Sequence, residues 1–351
     1  MERALELNGK IINQSGEVYF IAEIGSNHNG DMDLCRRLID AAEDAGADAV
    51  KFQSWSDKSL ISRSEYEKNT SYTDKKRHFG TLKEMVTRYQ LTPDQHRDIC
   101  EYCNDKNISF CSTPFSCEEV DMLDELNVPF FKIASMDVIH LPLLRHIARK
   151  GKPVILSTGM ASLSEIERAV NTIFTEGNRQ LALLHCVALY PPEDKAVNLR
   201  NIKLLSDIFQ IPVGYSDHTI GITASLTSIA LGARIVEKHF TLDKNMDGWD
   251  HWISSDPFEL KTLITEGKRV NRLLGSYPRL VSEAEIEKAK AFRRSIVARH
   301  SLKKGHRITE RDLDFKRPGT GIKPDEADYI IGRTLVKDIE YDDMFTWDHL
   351  N

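Results

Sequence analysis

Along this chain, short and nearly all-apolar runs alternate with longer segments whose apolar residues recur every three or four positions. The short runs fall at 19–24, 49–52, 109–112, 130–133, 154–156, 181–184, 212–214 and 234–237. They are rich in branched and aromatic residues and lack a polar face, which is the pattern of strands covered on both sides. Between and after them, segments 32–44, 93–106, 118–125, 141–149, 163–175, 199–209, 221–231 and 257–274 read as helices. Eight strand-then-helix units in succession predict an α/β protein, a closed (β/α)8 TIM barrel, which takes about 250 residues. A doubly wound open sheet competes, but no GxGxxG follows the first strand.

Three stretches leave that rhythm. Leu5-Glu6-Leu7 and Lys10-Ile11-Ile12 flank Asn8-Gly9, the sequence of a tight hairpin. Segment 54–90 is polar, charged and too long for a structural turn, so it predicts a lid or recognition loop. From 281 onward the run Glu283-Ala284-Glu285-Ile286-Glu287-Lys288 reads as a charged helical linker. Short apolar runs separated by turns such as Lys303-Lys304-Gly305 then predict a small β-rich domain. The domain reading is a barrel with its hairpin over 1–280, a linker over 281–293 and the small domain over 294–351. At about sixty residues the last is small for independent stability, so it is expected to lean on another surface.

Composition narrows the function. Of 351 residues 41% are hydrophobic, enough for a large core, and the net charge of −6 comes from interspersed signs. Non-specific nucleic-acid binding needs a basic face, so no nucleic-acid partner is expected and any phosphate site must be local. No apolar run approaches the length of a membrane span, and the first residues lack a signal-peptide layout, so the expectation is a cytoplasmic protein without a membrane partner. Cys100 and Cys103 form a CxxC, but on a predicted helix with no second pair, which points to buried thiols.

Active sites of such barrels gather at the carboxyl ends of the strands. All eight ends here carry polar residues: Glu23, Asn27 and His28; Lys51 and Gln53; Ser112 and Thr113; Lys132 and Ser135; Ser157 and Thr158; His185 and Tyr190; Ser216, Asp217 and His218; Glu237, Lys238 and His239. Lys51 and Lys132 directly follow apolar runs, where an unpaired ammonium would cost several kcal/mol. Either they form structural ion pairs, as with Glu23, or they clamp an anionic ligand with hydroxyls from Thr113, Ser135 and Ser157. A Schiff-base lysine is a third use. His218 and His239 end adjacent strands, so two imidazoles could share a divalent metal of the Mn2+ type with open positions for Lewis-acid work. Asp250 in Gly248-Trp249-Asp250-His251 lies on the rim, and Arg317 taken alone reads as solvated surface.

Together the runs IAEIGSNHNG (21–30), AGADAVKFQ (45–53), FCSTPF (110–115), FKIAS (131–135), PVILSTGM (153–160), LLHC (183–186) with the following Tyr190-Pro191, GYSDHT (214–219), EKHFTLD (237–243) and KRPGTG (316–321) carry a resemblance. The chain resembles the sialic acid synthase family, which includes N-acetylneuraminate synthases and their legionaminic and pseudaminic acid relatives. The match runs in order from Tyr19 to the C-terminus. It implies a TIM barrel followed by a small SAF, or antifreeze-like, domain, in a domain-swapped homodimer.

The implied activity is condensation of phosphoenolpyruvate with an aldose of the N-acetylmannosamine type, giving a nonulosonic acid and phosphate by carbon–oxygen cleavage. By resemblance, Lys51, Thr113, Lys132, Ser135, Ser157 and Ser216 would hold phosphoenolpyruvate. His218 and His239 would ligate a divalent metal, Mn2+ first, with Mg2+ or Co2+ as alternatives. Glu23, Gln53, Tyr190 and Asp250 would hold the aldose, and Arg317 would reach in from the other subunit. Glu23 is also a candidate for proton handling. Two departures stand near the substrates: Ala188 replaces an asparagine that helps hold phosphate, and Trp249 replaces a proline before Asp250. Another phosphoenolpyruvate-condensing ulosonate synthase, a Schiff-base aldolase and a non-catalytic carbohydrate-binding protein are the competing readings.

Overall fold

A computed structural model describes residues 4–13, 16–71, 73–74, 77–78, 80–275 and 278–351. The chain divides into two compact units, Met1–Gly275 and Ser276–Asn351, ahead of the boundary read at 280. The first is the barrel. Its parallel strands are β1 (Tyr19–Gly25), β2 (Ala49–Ser54), β3 (Ser109–Pro114), β4 (Phe131–Ile133), β5 (Val154–Ser157), β6 (Leu181–Cys186), β7 (Val213–Asp217) and β8 (Ile235–His239). Successive strands pair in parallel from β1 to β3 and from β4 to β8, and β8 pairs with β1 from Ile235↔Tyr19 to His239↔Glu23. The ring is nearly closed: β3 and β4 lie side by side without a ladder between them.

Helices cover the outside where the apolar spacing predicts them, among them Met32–Ala45, Leu141–Arg149, Leu163–Thr175 and Pro257–Leu274. Their starts follow from local chemistry. Asp31 accepts from the backbone N–H groups of Asp33 and Leu34, and Ser162 and Asp256 form reciprocal caps with Glu165 and Glu259.

Strand alternation sorts the side chains. One set, including Phe20, Ala22, Val50, Phe52, Leu156, Leu183 and Val236, faces the helices in the main core. The other points into the barrel. Near the amino-terminal end this inner set is apolar: Tyr19, Ile21, Ala49, Cys111, Phe130, Ile155, Ala182, Leu184 and Ile235. The hairpin of Leu5–Leu7 and Lys10–Ile12 adds Leu5, Leu7 and Ile12 to this layer and so covers that end. Its turn residues Asn8 and Gly9 both have positive φ, 47° and 81°, as a two-residue hairpin requires.

The 54–90 segment differs from the expected irregular loop. It contains helices Arg63–Lys68 and Leu82–Tyr89 and a short antiparallel pair, Thr73–Asp74 with Arg77–His78. Leu82, Met85, Val86 and Tyr89 pack with Trp55 in a small core that also takes in Phe115 and Trp249. Cys100 and Cys103 sit on helix Pro93–Asp105 as buried free thiols.

The second unit begins with helix Glu283–Phe292, none of whose residues is buried. Strands Ser295–Ala298 and Leu313–Lys316 pair antiparallel, and single bridges such as Leu302↔Ile339 and Arg307↔Thr334 tie the rest together. Ile296, Ile308, Ile330, Leu335 and Phe345 form its own core.

Candidate active site

At the carboxyl end of the barrel the inner layer turns polar. Continuing the alternation two residues past each buried apolar position gives Glu23 after Ile21, Lys51 after Ala49, Thr113 after Cys111, Ser157 after Ile155, Cys186 after Leu184 and Glu237 after Ile235. These six line one cleft of about 290 Å3 with Gln53, Lys132, Ser135, Tyr190, Ser216, His218 and His239. The spacing also explains which strand-end residues stay out. Ser112 faces away and bonds Ser54, which bonds His96, and His185 bonds the Val197 carbonyl. Asp217 and Lys238 pair with each other on the outward face.

The two ammoniums and two carboxylates form one buried cluster. Lys51 Nζ lies 2.7 Å from Glu23 Oε2 and 3.8 Å from Glu237 Oε1. Lys132 Nζ donates to Ser157 Oγ at 2.8 Å and lies 3.5 Å from Glu237 Oε1. Gln53 Nε2 donates to Glu23 Oε1 at 2.7 Å, and Ser216 Oγ donates to Glu237 Oε1 at 3.1 Å. Gly25, with φ 52°, is needed here: a Cβ would stand 2.9 Å from Glu23 Oε1 and 3.1 Å from Gln53 Nε2. Both ion-pair and ligand-clamp readings of the lysines are thus compatible with the geometry, since each ammonium is paired yet faces the cleft.

Electrostatics separates the carboxylates. Burial pushes the Glu23 carboxyl up to about 6, with Lys51 only partly offsetting it. For Glu237 burial works in the same direction, but Lys132 and Lys51 outweigh it and hold the group below its ordinary value. Burial lowers the Lys132 ammonium, with Glu237 opposing.

The imidazoles stand beside this cluster. The His218 and His239 ring centroids are 5.4 Å apart, and the Tyr190 ring lies 4.1 Å from that of His218. His218 Nδ1 is 2.9 Å from the Val187 carbonyl oxygen, which fixes a proton on that nitrogen. Burial works to lower this imidazole, but Cys186 and the carbonyl outweigh it and raise the group above its ordinary value. Nε2 therefore becomes a lone-pair donor only when the ring gives up its second proton. His239 Nδ1 is buried without a hydrogen bond, 3.9 Å from Asp250 Oδ2. Burial, then the charges of His218 and Lys51, keeps His239 neutral, the form that binds a metal ion. Arg317 lies in the second unit with its guanidinium over the Phe292 ring at 4.8 Å.

Sequence reading missed part of the lining. Phe115, Met136, Met160 and Cys186 also face the cleft, together with Ala188 and Glu237, which sequence reading places near the substrates and at the end of β8, respectively, without a role. Strand alternation would have found Cys186, whereas Met136 and Met160 come from turns that carry no such signal.

A TIM barrel with a charged cluster and two imidazoles at its strand ends, followed by a small β-rich unit, has the architecture of a barrel enzyme. The family model of the NeuB family matches residues 38–278 and that of the SAF domain matches 293–351. The chain belongs to the NeuB family and is an enzyme of that family with a SAF domain. It is 41% identical over 330 residues to the N,N'-diacetyllegionaminic acid synthase of Campylobacter jejuni, covering 92% of this chain and 97% of that one. It is 34% identical over 337 residues to the N-acetylneuraminate-9-phosphate synthase of Homo sapiens, covering 95% and 93%. The solved N-acetylneuraminic acid (sialic acid) synthetase of Leptospira borgpetersenii serovar Hardjo-bovis, in complex with citrate, matches with a TM-score of 0.75 at 36% identity. That match covers 82% of this chain and 95% of the other.

Proposed function

We propose that the enzyme condenses phosphoenolpyruvate with a neutral N-acylated aldose, giving a nonulosonic acid and inorganic phosphate. The observation that carries this reading is the single cleft in which Lys51 and Lys132 meet Glu23, Glu237, His218 and His239. The names of the relatives support the product class.

The charge count argues for more than a passive anion site. Two ammoniums already face two carboxylates, so a multiply charged anion entering alone would leave excess negative charge in a poorly solvated place. A proton on Glu23 or an added divalent cation relieves it. His218 and His239 fit such a cation: one has an unpaired buried nitrogen and the other a committed Nδ1. Among the described residues no group of three or more His, Cys, Asp or Glu could hold a metal ion, so water and substrate oxygens would complete the shell. Nitrogen with oxygen ligands suits Mn2+, with Mg2+ or Co2+ as alternatives. Bound there, the ion supplies Lewis acidity toward the aldehyde oxygen.

The protein groups do the rest. Lys51 with Thr113, and Lys132 with Ser135, Ser157 and Ser216, bind the carboxylate and phosphate oxygens and offset their charge. Glu23, Gln53, Tyr190 and Asp250 orient the aldose. C3 of the enol phosphate then bonds to the aldehyde carbon, water adds at C2, and phosphate departs with its bridging oxygen. Glu23, with its carboxyl near 6, can hold or release a proton at neutral pH. A neutral sugar is favoured because the only lysines or arginines among the described lining residues are Lys51 and Lys132, both already paired. Phe115, Met136, Met160 and Ala188 offer apolar wall for acyl groups. On this reading the enzyme works in the cytoplasm as a domain-swapped homodimer, and Arg317 of a second copy reaches the aldose.

The test is phosphate release from phosphoenolpyruvate with a panel of aldoses, with and without Mn2+, followed by mass spectrometry of the product. Release that needs both aldose and metal, with a product heavier than the aldose by the pyruvate unit, supports the proposal. Release indifferent to the aldose would sink it.

A further inference from the structure

The outward face of β7 and β8 holds an ion pair that the proposed reaction does not use. Asp217 and Lys238 are directly opposite in the ladder, as are Ser216 and Glu237 just before them. Their side chains are 0% and 2% exposed, and Lys238 Nζ donates to Asp217 Oδ2 at 2.9 Å. Lys238 Nζ also donates to the Thr219 carbonyl at 2.7 Å, while Asp217 Oδ1 accepts from the Thr219 N–H at 2.8 Å. Ser225, on helix Thr223–Ala230, donates to Asp217 Oδ2.

Thr219 is therefore gripped by both of its backbone groups. His218 lies between the two gripped residues, and Lys238 immediately precedes His239. On the inner face Ser216 and Glu237 are bonded as well, so the two strand ends are pinned from both sides. Burying such a pair carries a desolvation penalty, and a well-packed apolar pair often does as well or better for stability alone. What an apolar pair cannot do is fix the Thr219 peptide, and through it the backbone that aims His218.

We propose that the Asp217–Lys238 pair is a positioning device that sets the spacing of His218 and His239 and thereby the affinity for a divalent metal ion. This rests on the reading of those two histidines as metal ligands. Removing groups that orient ligands typically weakens metal binding by about 10- to 100-fold.

The experiment uses chelator-stripped full-length protein titrated with Mn2+, with free Mn2+ read by its paramagnetic resonance signal. Lys238→Met and Asp217→Asn should each raise the Kd by about 10- to 100-fold. The paired replacement of Asp217→Leu with Lys238→Met should regain thermal stability relative to the single variants while metal binding stays weak. The proposal is overturned if metal Kd follows Tm, recovering in the double variant, or if it is unchanged in Asp217→Asn, the smallest alteration and the one least able to block folding. A wild-type protein that binds neither Mn2+ nor Co2+ removes the metal reading and this inference together. Tight wild-type binding with unaltered variants removes this inference alone.

Discussion

Between pH 7 and pH 5 His28 alone should destabilise the barrel by about 2 kcal/mol. The residue follows β1, is 1% exposed, and accepts a hydrogen bond at Nδ1 from the Gly30 N–H at 3.0 Å. Burial, with His96 and His251 nearby, pushes its imidazole from 6.5 down to about 4. The unfolded chain therefore takes up a proton near 6.5 that the folded protein refuses until about 4. Stability is complete above 6.5, falls as pH drops through that window at about 1.4 kcal/mol per pH unit, and levels off near 4. Integrating to pH 5 gives the 2 kcal/mol, and the full loss is about 3 kcal/mol. The assay is urea unfolding at pH 7, 6 and 5 of the wild type and His28→Asn, which retains an acceptor for Gly30 but does not titrate. His96, also lowered by burial, contributes to both and cancels. Equal losses in the two proteins would refute the argument.

Four further outcomes follow from the geometry. Mixing Lys132→Ala with Arg317→Ala, each inactive alone, should restore about a quarter of wild-type turnover if Arg317 acts on a second copy, since half the dimers are mixed and one site in each is intact; no recovery places Arg317 outside such a swap. Leu7→Ala, at a fully buried position of the hairpin, should cost about 2–5 kcal/mol in denaturant unfolding. Met85→Ala removes support from the small core that includes Phe115, which lines the cleft, so it should raise KM for the aldose more than for phosphoenolpyruvate; equal changes would break that link. Asp312 is desolvated, but hydrogen bonds from His306 and Thr309 outweigh this and bring its carboxyl down to about 2. Its contribution is present above about 4 and lost as pH falls toward 2, on the order of 2 kcal/mol, so Asp312→Asn should flatten acid unfolding of the second unit in hydrogen exchange.

The barrel was legible because most strands open on apolar residues, as in Tyr19–Ala22, Val154–Leu156 and Leu181–Leu184. Its ends were not. Reading by apolarity stops β5 at Leu156 and β6 at Leu184, yet the strands continue to Ser157 and Cys186, because polar side chains there face a cleft and not the helices. For the same reason a list of strand-end polar residues mixed two faces: Ser112, His185 and Asp217 were gathered with Thr113, Tyr190 and Ser216, though they point the other way. Helix Leu82–Tyr89 was readable and overlooked: Leu82, Met85, Val86 and Tyr89 have helical spacing, and Thr81 with Glu84 forms a capping box. The surrounding charges hid it. The second unit's single bridges leave no periodic trace at all.

With Leu5, Leu7 and Ile12 seated across the amino-terminal end, the reaction chamber has a floor as well as walls. Reactants and products must share the doorway at the opposite end. Lys51 and Lys132 are buried and Tyr190 is half-exposed, so on the proposed reading a component held at the lysines would lie beneath a sugar at Tyr190, which would have to leave first. An inhibitor that fills only the rim should therefore slow escape of the deeper ligand as well as entry of a new one.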